Sequence, residues 1–318
     1  RWLVGFSKGS IELIHCGNIR PVGYAVAWVS MRLRIPYLVY VNGGDLLREK
    51  KKIAGSTFKR ATARRILGGA SGIAATSRWV AELAGEVMHE AGVETMPPVG
   101  AFDLGTDPVA FAPGRDTGFL RRKWHAGDDP LLITVARLVP HKGQDTVIRA
   151  LPMLSTEFPG LQYVMVGEGH YESRLRELAT ELGVEDRVIF AGAVGEEELP
   201  EAYATSTVYV GASRVDSEVN AEGFGISFLE ASSSGLPVVA GDSGGVRSAV
   251  RDGETGFVVP PDDPAAAADA IARLIRDPAL RARLGDAGRC AVETHYNWDR
   301  VARDTREFAL DVTRGRRR

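Results

Sequence analysis

Cysteine is scarce in this chain. Of its 318 residues only Cys16 and Cys290 are cysteines, and neither lies in a Cys-x-x-Cys or zinc-type spacing. That argues against a disulfide framework and fits a reducing cytoplasm. Long hydrophobic runs are missing as well. The most apolar stretch, Pro21 to Met31, is too short to span a bilayer and is followed by Arg32 and Arg34. It reads as a buried helix rather than as a signal segment. An excess of one charge is also absent: a net charge of −2 gives no global field of the kind that draws nucleic acid. The basic end, Arg314 to Arg318, reads as a solvated tail. Internal repeats and low-complexity segments are lacking too. What remains is an ordinary globular composition, 44% hydrophobic and 25% charged, with enough chain for two domains.

Apolar runs alternate with helical patterns almost throughout. Strands are predicted over Ile11–His15, Tyr37–Val41 and Gly72–Thr76, with helices over Val22–Leu33 and Thr57–Leu67. The Tyr-Leu-Val-Tyr-Val run at 37–41 is β-branched and aromatic, as buried parallel strands are. Pro97 to Arg122 is rich in Pro, Gly and Asp and marks a domain boundary. A second series follows, with strands at Leu131–Ala136, Gln162–Val166, Val188–Phe190, Val208–Val210, Val238–Ala240 and Gly256–Val259, and final helices between Pro264 and Ala309. This grammar specifies the α/β class with parallel sheets. Only about three strands precede the boundary, and the first residue is Arg1, so the front of the first domain reads as missing or unusually short.

Three constellations follow strands of the second series, where ligands of open α/β sheets bind. The first is Arg137-Leu-Val-Pro-His-Lys142-Gly143. An Arg fork and a Lys point charge ahead of a helix N-terminus suit a diphosphate; the plainer reading is a solvated basic loop. The second is Glu222-Gly-Phe-Gly-Ile-Ser-Phe-Leu-Glu230. Its glycines let backbone N–H groups approach a ligand, and a carboxylate among Phe228, Leu229 and Ala231 needs a donor such as a ribose diol. Two solvated acids on a capped surface helix are the alternative. The third is Gly241-Asp-Ser-Gly-Gly245, a glycine turn able to cradle phosphate but common in itself.

Taken together, these segments resemble the retaining glycosyltransferases of family 4, with the fold called GT-B. The similarity runs through Val135-Ala-Arg-Leu-Val-Pro-His-Lys-Gly143, Val166-Gly-Glu-Gly169, Val188-Ile-Phe-Ala-Gly192 and Glu222 to Ala231. It continues through Gly235 to Gly245 and Asp252-Gly-Glu-Thr-Gly-Phe257. The run Gly241–Gly245 is similar to that of actinobacterial mannosyltransferases of the phosphatidylinositol mannoside type. The resemblance implies two Rossmann-like domains facing a cleft. Residues 1–114 would form a partial, acceptor-side domain and 115–296 the nucleotide-sugar-binding domain, with helix 297–318 packing back on the first. It implies transfer of a hexosyl group, mannosyl among the candidates, from a GDP- or UDP-sugar to a lipid or saccharide acceptor, with retention and without a metal. Arg137 and Lys142 would hold the diphosphate, Glu230 the ribose, and Ala193 and Val194 would lie near the base. Glu222 would contact the transferred sugar, helped by backbone groups of Gly223, Phe224, Gly225 and Ile226. An Asp-x-Asp motif is absent, Asp216-Ser-Glu218 being only a near match.

The resemblance departs at Val41-Asn42-Gly43-Gly44-Asp45, where Asn42 stands at the family's usual His. Asn hydrogen-bonds a sugar hydroxyl but cannot share a proton as His does. Asp45 is a candidate sugar ligand or base, and a plain turn is the competing reading for both. The family's N-terminal glycine-rich loop is not found. His15 reads as a structural histidine, and Trp79 as core. Between Arg48 and Arg65 there are eight Lys or Arg and one acid, Glu49. That stretch is either a solvated face or a peripheral contact with anionic lipid at the inner face of the membrane. Two further functions stay open: a non-catalytic nucleotide-sugar-binding module, and a GT-B-like sugar-nucleotide epimerase.

Overall fold

A computed structural model gives the structure, describing residues 11–215 and 220–315. The Asp216-Ser-Glu218 near match, Arg1 and the last three arginines of the tail lie outside the described residues. Contacts divide the chain into two units. One comprises the described residues within Arg1–Leu104, Ser217–Phe224 and Asp299–Arg318; the other comprises those within Gly105–Asp216 and Gly225–Trp298.

The first unit is built on a parallel sheet in sequential order, β1 (Ile14–Cys16), β2 (Tyr37–Val41), β3 (Gly72–Ala75) and β4 (Val99–Ala101). Four helices accompany it: α1 (Val22–Leu33), α2 (Gly43–Ala54), α3 (Thr57–Gly68) and α4 (Arg78–Ala91). Three expectations need correction here. β4 is a fourth strand inside the stretch read as a boundary; Val-Gly-Ala carries no periodic pattern of its own, and pairing of Ile73 with Val99 makes it a strand. α2 begins with two glycines, the weakest helix formers after proline, so its start reads as a turn in the sequence. α1 is buried on one side only: Val26 and Val29 face the core, while Val22, Trp28 and Met31 are exposed.

The second unit holds the larger sheet. Its strands β5 (Leu131–Val135), β6 (Gln162–Val166), β7 (Val188–Gly192), β8 (Val208–Gly211), β9 (Val238–Gly241) and β10 (Gly256–Val259) lie in the order β10-β9-β8-β5-β6-β7. All pairings are parallel. This is the doubly wound order, and its reversal between β5 and β8 opens the crevice where such sheets bind ligands. The intervening helices are α5 (Phe119–Lys123), α6 (Gln144–Leu154), α7 (Glu172–Glu181), α8 (Leu199–Ala204), α9 (Ile226–Ser233), α10 (Val246–Ala249), α11 (Pro264–Arg276) and α12 (Pro278–Thr294). α6 and α11 cover one face, their Val147, Ile148 and Leu151 sharing a core with Ala267, Ile271 and Leu274. The starts of α11 and α12 follow one recipe. Asp263 and Asp277 accept backbone N–H bonds, and proline takes the first helical position after each. The last helix, α13 (Trp298–Gly315), belongs to the first unit, where Phe308, Ala309 and Val312 pack with Leu38.

Candidate active site

One group of candidate residues grows from the switch point of the second unit's sheet. Beyond β5 the chain passes Arg137, which is exposed, and a tight 3-10 turn, Pro140–Lys142, on which Lys142 is half-buried. Gly143 then opens α6 with φ +72°, and a Cβ there would lie 1.8 Å from the Ala212 carbonyl oxygen beyond β8. No side chain fits, so the loops after β5 and β8 meet backbone to backbone. Arg214 staples them. Its N–H donates to the His141 carbonyl at 2.9 Å, and its guanidinium donates to both carboxylate oxygens of Asp145 at 2.9 and 3.1 Å. The buried Gln144 side chain donates to the Arg137 carbonyl at 3.0 Å. Leu138 N–H donates to Glu168 O at 3.0 Å, tying in the loop after β6. Arg137 and Lys142 therefore project from a braced loop, which is what an anion subsite requires.

α9 enters the same edge. Gly225 precedes it with φ +96°, a conformation that side chains rarely adopt. Phe228 and Leu229 are buried, Ile226 is exposed, and Glu230 is half-buried. The Tyr203 hydroxyl donates to Glu230 Oε2 at 2.6 Å. Burial pushes the Glu230 carboxyl above its ordinary range, and the Tyr203 bond pulls it back in part. Burial, and then the Glu230 charge, raise the Tyr203 phenol well above its usual value. Ala193 and Val194 follow β7, exposed and half-buried respectively. In the glycine turn after β9, Asp242 pairs with Arg247 at 2.6 Å, and the buried Ser243 hydroxyl has no hydrogen-bond partner among the described residues.

Asn42, Asp45 and Glu222–Phe224 fall in the first unit. Asn42 caps α2: its Oδ1 accepts from Asp45 N at 2.9 Å and its Nδ2 donates to Asp45 Oδ2 at 2.8 Å. Arg48 donates to the other Asp45 oxygen at 2.7 Å. The Asn-Gly-Gly-Asp run is thus a helix cap. Beside it lies Gly223: a Cβ on Gly43 would meet the Trp79 ring at 2.6 Å and Gly223 Cα at 3.2 Å. Ser77, the buried cap of α4, donates to the Gly223 carbonyl at 2.8 Å. Turns after β2 and β3 therefore hold the Gly223 backbone, with Glu222 adjacent. His15 bonds Tyr40 (2.8 Å) and stacks on it, in keeping with a structural role. The two cysteines are unlinked.

Three side chains at these edges have no motif: Ser77, Tyr203 and Arg214. Ser77 carried a readable signal, a serine just ahead of a helical pattern. Tyr203 and Arg214 carried none, because their partners lie 27 and 69 residues away. Among the described residues no cluster of His, Cys, Asp or Glu is disposed to hold a metal ion.

Residues 116–290 match the family described as glycosyl transferases group 1. The chain belongs to that family. The matched span contains Arg137, Lys142, Ala193, Val194 and Glu222 to Glu230, while Asn42 and Asp45 lie outside it. A GDP-mannose-dependent alpha-(1-6)-phosphatidylinositol monomannoside mannosyltransferase of Mycobacterium tuberculosis (strain CDC 1551 / Oshkosh) is 39% identical over 220 residues, 69% of this chain and 56% of that protein. A D-inositol 3-phosphate glycosyltransferase of Acidothermus cellulolyticus is 36% identical over 247 residues, 74% of this chain and 53% of that one. This group 1 chain thus spans little more than half the length of these relatives. Among solved structures, Anabaena Alr3699/HepE in complex with UDP superposes with a TM-score of 0.82 at 22% identity, covering 98% of this chain and 81% of that one. Sucrose-phosphate synthase from Thermosynechococcus elongatus gives 0.76 at 26%, covering 99% and 77%. The fold of this glycosyltransferase domain is GT-B, with two parallel sheets flanked by helices.

Proposed function

We propose that the chain is the donor-binding and catalytic part of a retaining, metal-independent hexosyltransferase that uses GDP-mannose and acts on an inositol-lipid or inositol-phosphate acceptor. One observation carries this reading: the Arg137–Lys142 loop and the Glu230 helix share the carboxyl edge of a doubly wound sheet at its switch point. The donor and acceptor class rest on the similarity to the GDP-mannose-dependent and inositol-directed relatives. In this reading Arg137 and Lys142 take the diphosphate and lower the barrier as its charge develops. Glu230 takes the ribose, while Ala193 and Val194 border the base. Glu222, Asn42 and Asp45 act on the transferred sugar, with the Gly223–Ile226 backbone assisting.

A lipid acceptor calls for a membrane-facing surface. In the 48–65 stretch part of the α2 charge is spent within the fold, Arg48 pairing with Asp45, Lys50 with Glu86 and Glu90, and Glu49 with the buried Arg20, while Lys51 and Lys52 are exposed. The α3 charges make no such ion pairs among the described residues. Lys59, Arg60, Arg64 and Arg65 line α3, and Arg65 lies 3.0 Å from Met31 Sδ of α1, a helix whose Val22 and Trp28 are also exposed. No carboxylate occurs between residues 13 and 44 or between 50 and 81. This combination favours contact with anionic lipid at the cytoplasmic face. No helix of the described residues is long and apolar enough to cross a membrane.

Donor consumption is the deciding test. The chain is incubated with GDP- and UDP-sugars and an acceptor mixture, alongside Glu222→Ala and Lys142→Ala. Release of nucleoside diphosphate with a glycosylated product, reduced at least tenfold in both variants, is expected from the loss of about 1.5–3 kcal/mol per charge-assisted contact. Donor binding without turnover would establish the non-catalytic module instead. Epimerised or hydrolysed donor without acceptor product would establish the epimerase.

A further inference from the structure

Tyr203 sits in α8, outside every motif of the sequence, yet it is one of the largest fully buried side chains in the chain. Its ring is fixed from two sides, edge-on by Phe111 at 5.7 Å and by Tyr209 at 5.9 Å between centroids. Tyr209 is held in turn by Phe228 of α9 and bonds Ser227 Oγ at 2.8 Å. This aromatic stack joins α8 and β8 to the helix that carries Glu230. A buried phenol must place its one hydroxyl on a partner. The partner here is Glu230 Oε2 at 2.6 Å, the short distance of a charge-assisted bond.

We propose that Tyr203 is a positioning residue for donor binding: its hydroxyl fixes the Glu230 carboxylate through Oε2 and so turns Oε1 toward a ribose hydroxyl of the nucleotide-sugar. The inference rests on the reading of Glu230 as the ribose-binding residue. A glutamate has three rotatable side-chain bonds, and without a tether those must be ordered when the ligand arrives; a rigid buried phenol orders them beforehand. The bond does a second thing. Burial favours the neutral carboxyl, which is a poorer acceptor, and a hydrogen bond donated to the charged form opposes that.

The test measures affinity of the full chain for GDP and for its 2′,3′-dideoxy counterpart, with the UDP pair in parallel, in wild type, Tyr203→Phe and Glu230→Ala. Tyr203→Phe keeps the ring and its packing. It should weaken GDP about tenfold, the size of one lost polar contact to a charged group, and leave dideoxy-GDP within about twofold of wild type. The acid limb of the GDP affinity profile should also move to higher pH. Equal weakening of both nucleotides would mean a purely structural tyrosine and would overturn the inference, as would no weakening of either. If Glu230→Ala abolishes the ribose preference while Tyr203→Phe retains it, the role of Tyr203 alone is wrong. If Glu230→Ala retains it, the ribose assignment fails and the inference falls with it.

Discussion

Glu230 shows how a single half-buried carboxylate can cost a fold stability. Its carboxyl is raised by burial, so the folded state holds this proton more tightly than the unfolded chain does. The sign follows from linkage: stability is fullest below the ordinary carboxylate range and is lost as pH rises through the raised value. Glu230→Gln removes that cost. It should raise the melting temperature of the ligand-free chain by a few degrees at neutral pH, with the gain vanishing near pH 4. Thermal unfolding across a pH series checks this, and an unchanged or lower melting temperature at pH 7 would contradict it. Asn42 is the opposite case. Its visible work is structural, as the cap of α2, so Asn42→Ala should cost roughly 1 kcal/mol of stability through the cap alone. Any further loss of turnover then reports on the sugar.

At the scale of elements, the two loops of the switch point behave as one piece. Gly143 can carry no side chain, since both its φ of +72° and the Ala212 carbonyl at 1.8 Å forbid it. Gly143→Ala should therefore separate the loops after β5 and β8, at a cost of about 1–3 kcal/mol in strain, and raise the donor KM by at least tenfold. A crystal structure or hydrogen exchange of the 136–145 segment distinguishes loop displacement from global unfolding. Element positions were largely legible in the sequence because buried parallel strands write themselves as β-branched runs; β2, β6 and β10 fall within the predicted bounds. β4 and the start of α2 were not legible. Both are glycine-containing segments whose conformation is imposed by partners, a neighbouring strand in one case and the Asn42 cap in the other.

At the scale of the whole molecule, the proposed contact of α1 and α3 with anionic lipid can be tested directly. Binding to vesicles with about a third anionic lipid should be measurable by sedimentation at low salt and fall steeply as salt rises past the screening range. Trp28→Ala with Met31→Ala should weaken it without altering donor affinity. Binding equal on neutral and anionic vesicles, or unaffected by the double substitution, would count against this surface.

The sequence alone determined the α/β class, the strand–helix succession of the second unit and the polar segments at its strand ends. Each of those is local: hydrophobic period, glycine turns and charged residues a few positions apart along the chain. Tertiary structure decided what those segments rest on. The pairing of β5 with β8 brings Arg214 onto Asp145, and the packing of α8 on α9 brings Tyr203 onto Glu230. Sheet order also places Ser77 and Gly43 against Gly223, 146 residues beyond Ser77. Contacts across such separations leave no mark in the sequence, because a side chain's partner is fixed by strand order and packing rather than by its neighbours in the chain.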